Sequence, residues 1–339
     1  MHPILFHVPT PWGHVPIYSY GVMLGLSLIV AWYFIMAMGR RKEGLDQELM
    51  ANCFIVTAIS AIAGARLLYI LTNLDDFETV GSWFQFRSGG LVAYGGFLGG
   101  FFGSWGYLYR KGVPLLVWAD LVSPTLGSGL FFTRIGCYLY GCDFGKPLSS
   151  DAPGWLKALG TFPHWPEGTG PADLVCAQDV HGAPAWSHHV AEYDLSRDAV
   201  ASLPVHPTQI YESLIGLILF GVTMLVWRKR AFRGQVLFVL VMCYGAWRFL
   251  IEMVRDDPER GGAAGFSTSQ IISLVLVPLA IAAYVVFRKR SKEKGERPIP
   301  AHAKHKAPSA KDGAAGETAE GKGKPQGARK RKPKGSKKK

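Results

Sequence analysis

Seven apolar stretches, each near twenty residues, fill most of the first 287 positions of this 339-residue chain. They fall at 19–39, 51–72, 91–109, 114–133, 206–227, 235–254 and 268–287. A helix of about twenty residues matches the ~30 Å hydrocarbon core of a bilayer. Soluble cores seldom need so many uninterrupted apolar runs. The expected fold is therefore an all-α polytopic membrane protein with about seven transmembrane helices. The opening M-H-P-I-L-F-H lacks the basic region and cleavage site of a secretory leader, so none is expected.

The connections alternate in charge. G-R-R-K (39–42), Y-R-K-G (109–112), W-R-K-R-A-F-R (227–233) and R-K-R-S-K (288–292) are basic; 73–87, 134–205 and 255–267 are acidic or mixed. Basic loops stay in the cytoplasm. The N-terminus is thus expected outside and the C-terminus cytoplasmic. Residues 147–205 form a small exterior insertion, periplasmic in a two-membrane cell, and the loop at 73–90, with Trp83, Phe84 and Phe86, reads as an interfacial helix.

Net charge is +12, but residues 288–339 hold 19 of the 37 Lys+Arg and 5 of the 25 Asp+Glu. That leaves 18 basic and 20 acidic residues, a net of −2, for 1–287. A nucleic-acid partner for the body has no support. The expected domains are a seven-helix unit over 1–287 and a disordered basic cytoplasmic tail over 288–339.

Of five cysteines, Cys137, Cys142 and Cys176 fall on the exterior side, where a disulfide can persist. Free or paired states both remain open. The C-x4-C spacing is not a zinc pattern, and adjacent His188-His189 is not metal-ligand spacing on a helix. No metal site is expected from these spacings.

The informative residues are the polar ones inside apolar spans: Arg66, Asp120, Arg134, His206, Glu212, Arg248 and Glu252. Six unpaired charges facing lipid would cost on the order of 15–20 kcal/mol. They must turn inward and pair. All except Asp120 lie toward the outer ends of their spans, which implies a polar cavity near the outer leaflet. Arg134 opens R-I-G-C-Y-L-Y-G-C-D-F-G, a glycine-broken helix end suited to a phosphate group. Arg66 either snorkels to the interface or serves the site. Tyr94 is the one polar side chain offered by the glycine-rich stretch 88–100, which suits close helix packing or close approach of substrate. His206, Gln209 and Ser213 share one face with Glu212 beside them, and Tyr244, Arg248, Glu252 and Arg255 line one stripe. Ser267 or Thr268 can cap the last span.

Seven ordered segments carry a resemblance: Y-G-V-M (20–23), G-A-R-L-L-Y (64–69), G-G-L-V-A-Y-G-G-F-L-G (89–99), A-D-L-V-S-P (119–124), the loop at 134–145, H-P-T-Q-I-Y-E (206–212) and Y-G-A-W-R-F-L-I-E-M-V-R (244–255). Across nearly all of 15–287 the chain resembles the prolipoprotein diacylglyceryl transferase family. The resemblance implies an inner-membrane enzyme without cofactor. It would move the diacylglyceryl group of phosphatidylglycerol to the lipobox cysteine of a prolipoprotein signal peptide. By motif match Arg134 binds the lipid head and Arg248 is the second essential arginine; His206 and Tyr94 are the further catalytic candidates. Tyr20, Tyr244 and Glu252 match further family positions, and with Arg66, Gly95, Gly141, Asp143, Gly145, Gln209 and Glu212 they are the expected substrate-binding residues.

Two departures stand out. Some family members carry a histidine where this chain has Tyr94, and many have asparagine and glutamate where it has Cys137 and Cys142. The thiol's proton then goes to His206, or the arginine field alone favours the thiolate. A transporter or channel with clustered charges, or an inactive relative acting as a scaffold, are the competing readings at this point.

Overall fold

The computed structural model describes residues 2–11, 13–74, 77, 83, 90–165, 182–256, 262–263 and 265–295. Cys176, His181, most of the loop at 73–90 and the tail from 296 onward lie outside the described residues, as does the expectation of disorder attached to that tail.

The chain opens with an antiparallel hairpin, β1 (Ile4–Thr10) and β2 (Gly13–Tyr18), that leads straight into α1 (Ser19–Met38). A π-helical turn over Gly39–Glu43 follows, then α2 (Gln47–Thr72), α3 (Ala93–Arg110) and α4 (Leu115–Tyr140). Two short helices, α5 (Gly154–Leu159) and α6 (Pro184–Glu192), belong to the insertion. The last three long helices are α7 (Thr208–Lys229), α8 (Gln235–Ile251) and α9 (Thr268–Glu293), the last preceded by the tiny hairpin β3 (Gly262–Ala263) and β4 (Phe266–Ser267). Among the described residues five helices are long and apolar enough to cross a membrane: α1 with its π turn, α2, α4, α7 and α9. Ile29, Ile59, Phe97, Leu217 and Leu279 point outward and are more than half exposed, the inverse of a soluble core.

Where the helices touch, small residues let the backbones meet. A Cβ added to Gly127 of α4 would lie 2.6 Å from Phe220 N, and one added to Gly216 of α7 would lie 2.6 Å from Phe131 N. The two glycines face each other at a backbone contact. Likewise a Cβ on Gly95 of α3 would run into Gly64 O and lie 2.6 Å from the Leu68 Cβ of α2. The space at Gly95 is therefore taken up by α2.

Three boundaries differ from the hydropathy reading. Helix α4 continues to Tyr140, so Arg134 and Gly136 lie inside it rather than beyond its end. Helix α8 stops at Ile251, and Arg255 arrives through a turn that bridges to Gly145. Helix α9 runs on through R-K-R-S-K-E to Glu293, since these residues sustain a helix in water. Its start is a capping box: Ser267 Oγ accepts from Gln270 N at 3.2 Å, and Gln270 Oε1 accepts from Ser267 N at 3.1 Å.

At the end of the bundle away from the Arg134 loop, Asp120 is wholly buried. Its carboxylate accepts the N–H groups of Gly234, Val236 and Leu237 at 2.8, 3.0 and 3.2 Å, capping α8 from a neighbouring helix. Arg230 joins it at 3.4 Å and also pairs with Glu43, so this buried triad is structural. Around it sits an apolar cluster that includes Met50, Cys53, Leu108, Val117, Trp118 and Leu121.

Candidate active site

The C-terminus of α4 and the N-terminus of α7 carry the centre of the site. Arg134 lies two turns beyond Gly127, and Glu212 lies one turn before Gly216. The glycine contact therefore sets these two side chains against each other. Arg134 Nε donates to Glu212 Oε2 at 2.9 Å, and its Nη1 donates to Asp143 Oδ2 at 2.6 Å. Among the described residues its Nη2 has no partner.

Glu212 is fully buried and takes two more guanidiniums. Arg248 Nη1 reaches Glu212 Oε1 at 3.3 Å, and Arg255 Nη1 reaches Glu212 Oε2 at 3.0 Å. Arg255 Nη2 pairs with Asp143 Oδ1, and Arg248 Nη2 pairs with Glu252 at 3.1 Å. Three arginines and three carboxylates thus form one network from four stretches of chain. Like charges would drive the guanidiniums apart, and Glu212 is what holds them together. Burial pushes the Asp143 carboxyl up, but Arg134 and Arg255 outweigh it and hold the group well below the usual carboxylate range.

Asp143 sits on a turn built for the purpose. Gly141 ends α4 in the left-handed region (φ +88), and Asp143 adopts the same region (φ +59). Thr208 Oγ1 donates to Asp143 O at 2.5 Å, and Gln209 Nε2 donates to Cys142 O at 2.6 Å, so the start of α7 clasps the turn. A Cβ on Gly145 would lie 2.8 Å from His206 Cβ, His206 O and Val254 O, which leaves no room for a side chain. Behind the turn lies a satellite core of Phe144, Phe162, Trp165, Trp186 and Val205, contributed mostly by the insertion.

The remaining sequence candidates divide into those at the network and those apart from it. Tyr244 stands within the electrostatic reach of Glu212, Arg248, Arg134 and Arg255. Tyr20 packs over Gly136, whose added Cβ would lie 3.0 Å from its ring, and it feels Arg134 and Asp143. Tyr94 reaches the network at one remove: its hydroxyl is 3.4 Å from Ser269 Oγ, which accepts from Arg248 Nη2 at 3.1 Å. His206 stands apart. Its Nδ1 is 3.5 Å from the Tyr211 hydroxyl and its backbone pairs with Gly145 and Lys146. Arg66 donates to Trp83 O at 2.9 Å and Gly90 O at 3.1 Å and lies over Tyr69 and Phe77.

Ser269, Thr208 and Arg255 also belong to this region. Arg255 carried a signal, since it continues the Tyr244–Arg248–Glu252 stripe. Ser269 and Thr208 carried none, because a lone hydroxyl near a helix start reads as a cap. The donor atoms of Cys137, Cys142 and Asp143 lie within 4.8 Å of one another. Asp143 is already committed to two guanidiniums there.

Fold and site together define a multi-pass helical membrane protein with a charge-balanced arginine–carboxylate network at one end. The family model described as prolipoprotein diacylglyceryl transferase matches residues 3–286. The phosphatidylglycerol–prolipoprotein diacylglyceryl transferase of Clostridium tetani is 29% identical over 290 residues, 86% of this chain and 99% of that protein. The second such transferase of Clostridium perfringens is 30% identical over 286 residues, 83% and 95% of the two chains. The chain belongs to the prolipoprotein diacylglyceryl transferase family, and it is a membrane transferase.

Proposed function

We propose that the chain transfers the diacylglyceryl group of phosphatidylglycerol to the lipobox cysteine thiol of prolipoproteins in the bacterial inner membrane. Sulfur attacks C3 of the lipid's glyceryl unit, the C–O bond to phosphate breaks, and glycerol 1-phosphate leaves. A thioether remains on the peptide, and the thiol proton passes to solvent or to the phosphate.

The observation that carries this reading is Arg134, anchored to two carboxylates through Nε and Nη1 with Nη2 left to donate. A guanidinium fixed in this way suits a phosphate oxygen and gains strength as charge develops on the leaving group. Arg248 stands across Glu212 as the second cation. The field of the arginines favours the thiolate of the incoming cysteine, whose free pKa is about 8.5. The ring contact of His206 with Tyr211 supports that field, rather than His206, as the source of activation. The proposed topology has seven spans, with α3 and α8 joining the five apolar helices. The N-terminus lies outside, 147–205 is a periplasmic insertion, and 288–339 is a cytoplasmic tail beyond the 1–287 transferase domain.

The test is label transfer from phosphatidylglycerol to a lipobox peptide by the membrane-embedded protein. Wild type lipidates the peptide and Arg134→Ala does not. A wild type that leaves the peptide unmodified overturns the reading in favour of a scaffold.

A further inference from the structure

We infer that Cys137 and Cys142 are a dithiol modification site whose oxidation to a disulfide switches the Arg134 clamp off. The inference rests on the proposed topology only in placing this end of the bundle on the oxidising side of the membrane.

The pairing follows from how α4 ends. With Gly141 in the left-handed region, the N–H of Cys142 donates back to Cys137 O at 3.2 Å, and that of Gly141 donates to the same carbonyl at 2.8 Å. A helix end of this kind brings together the side chains that precede and follow the glycine, normally two apolar groups. Here both are thiols, and their sulfurs lie within 4.8 Å. Closing that gap to the ~2.05 Å of a disulfide requires χ rotation and a shift of the turn. Cys137 is buried and Cys142 half-buried, so Cys142 is the sulfur an oxidant meets first.

The chemistry balances with a small disulfide, RSSR, as oxidant. The Cys142 thiolate attacks one sulfur and releases RS⁻, leaving Cys142–S–S–R. The Cys137 thiolate then attacks Cys142 Sγ and releases the second RS⁻. The two thiol protons end on two RSH. The hydrogen bond with Cys137 and burial push the Cys142 thiol well above its ordinary value, so its attack on the oxidant speeds up as pH rises.

The consequence reaches the network directly. Cys137 Sγ lies 3.8 Å from Arg134 Nη1, Cys142 O holds Gln209, and the next residue is Asp143. Drawing Cys142 toward Cys137 moves the carboxylate that positions Arg134. Displacements of about 1 Å at such a point cost on the order of 100-fold in rate.

The experiment treats the full-length protein in membranes with oxidised glutathione, then measures peptide mass over 137–142 and transferase activity. The expected result is a loss of two hydrogens within that peptide, a large fall in transfer, and recovery with dithiothreitol. Cys142→Ser, compared only with itself before and after oxidant, should show no oxidant effect. Four outcomes overturn the inference: thiols that stay free in wild type, a disulfide from Cys142 to another cysteine, a disulfide with unchanged activity, or equal inhibition of Cys142→Ser. The mass readout is independent of activity, so an inactive reduced enzyme would count against the transferase reading and not against the dithiol.

Discussion

Arg134 and Asp143, nine residues apart across the end of α4, meet at 2.6 Å, and the same carboxylate pairs with Arg255. The turn at Gly141 folds an acidic group back over the helix that carries the arginine. The guanidinium is thereby held by two carboxylates, Asp143 at Nη1 and Glu212 at Nε. This two-point grip is what a lysine cannot reproduce, because an ammonium is a point charge without a rigid fork. Arg134→Lys is expected to lower transfer about 100-fold while the protein still inserts and folds. Label transfer beside detergent-extracted yield checks it, and near-wild-type rates in the lysine variant would contradict the grip.

Glu212 is the anion common to all three arginines. Glu212→Gln leaves a net positive charge among buried guanidiniums, and breaking a buried pair costs about 3–5 kcal/mol. The variant is expected to lose both thermal stability in detergent and nearly all transfer. Retention of either would show that Asp143 and Glu252 suffice to hold the arginines.

Ser269 links Arg248 to Tyr94. A hydrogen bond to a charged group is worth roughly 1.5–3 kcal/mol, so Ser269→Ala is expected to reduce transfer about tenfold or more. Tyr94→Phe removes only the outer contact and should keep substantial activity. The double variant should fall no further than Ser269→Ala alone, because the tyrosine acts through the serine. Multiplicative losses would point to an independent role for Tyr94.

His189 gives the insertion a pH dependence. It is fully buried, its Nδ1 accepts from Leu203 N at 3.2 Å, and burial with His188 beside it lowers its pKa to about 4. A histidine depressed in the folded state contributes stability that is complete above its unfolded value of about 6.5. That contribution is lost as pH falls toward 4. Protonation also removes the acceptor from Leu203. Tryptophan fluorescence of the insertion, through Trp165 and Trp186, should report loosening between about pH 6.5 and 4. His189→Gln should flatten the profile.

The apolar spans were legible because a bilayer imposes length and hydropathy directly on the sequence, and α1, α2 and α7 start and end within a few residues of expectation. The end of α4 was not. A lone arginine marks a boundary in a hydropathy reading, but Glu212 and Asp143 neutralise Arg134 and the helix continues past it. The hairpin β1–β2 was hidden by Pro3, Pro9, Pro11 and Pro16, which argue against a strand yet are tolerated in a two-stranded ribbon with free edges. For the site, the stripe on α8 and the charged α7 start were readable one helix at a time. Their convergence on one carboxylate was not, since it depends on where Gly127 meets Gly216.

The carboxylate of Asp120 receives the first N–H groups of α8, and thirteen residues separate Gln235 from Arg248 on that same helix. At about 1.5 Å per residue, α8 is a ruler some 20 Å long, pinned at its base. An acid at one end of α8 thereby sets how far a cation near its other end can reach. Lengthening or shortening that ruler by one residue would swing Arg248 about 100° around the axis. It would then miss Glu212 without any change to the site's own residues.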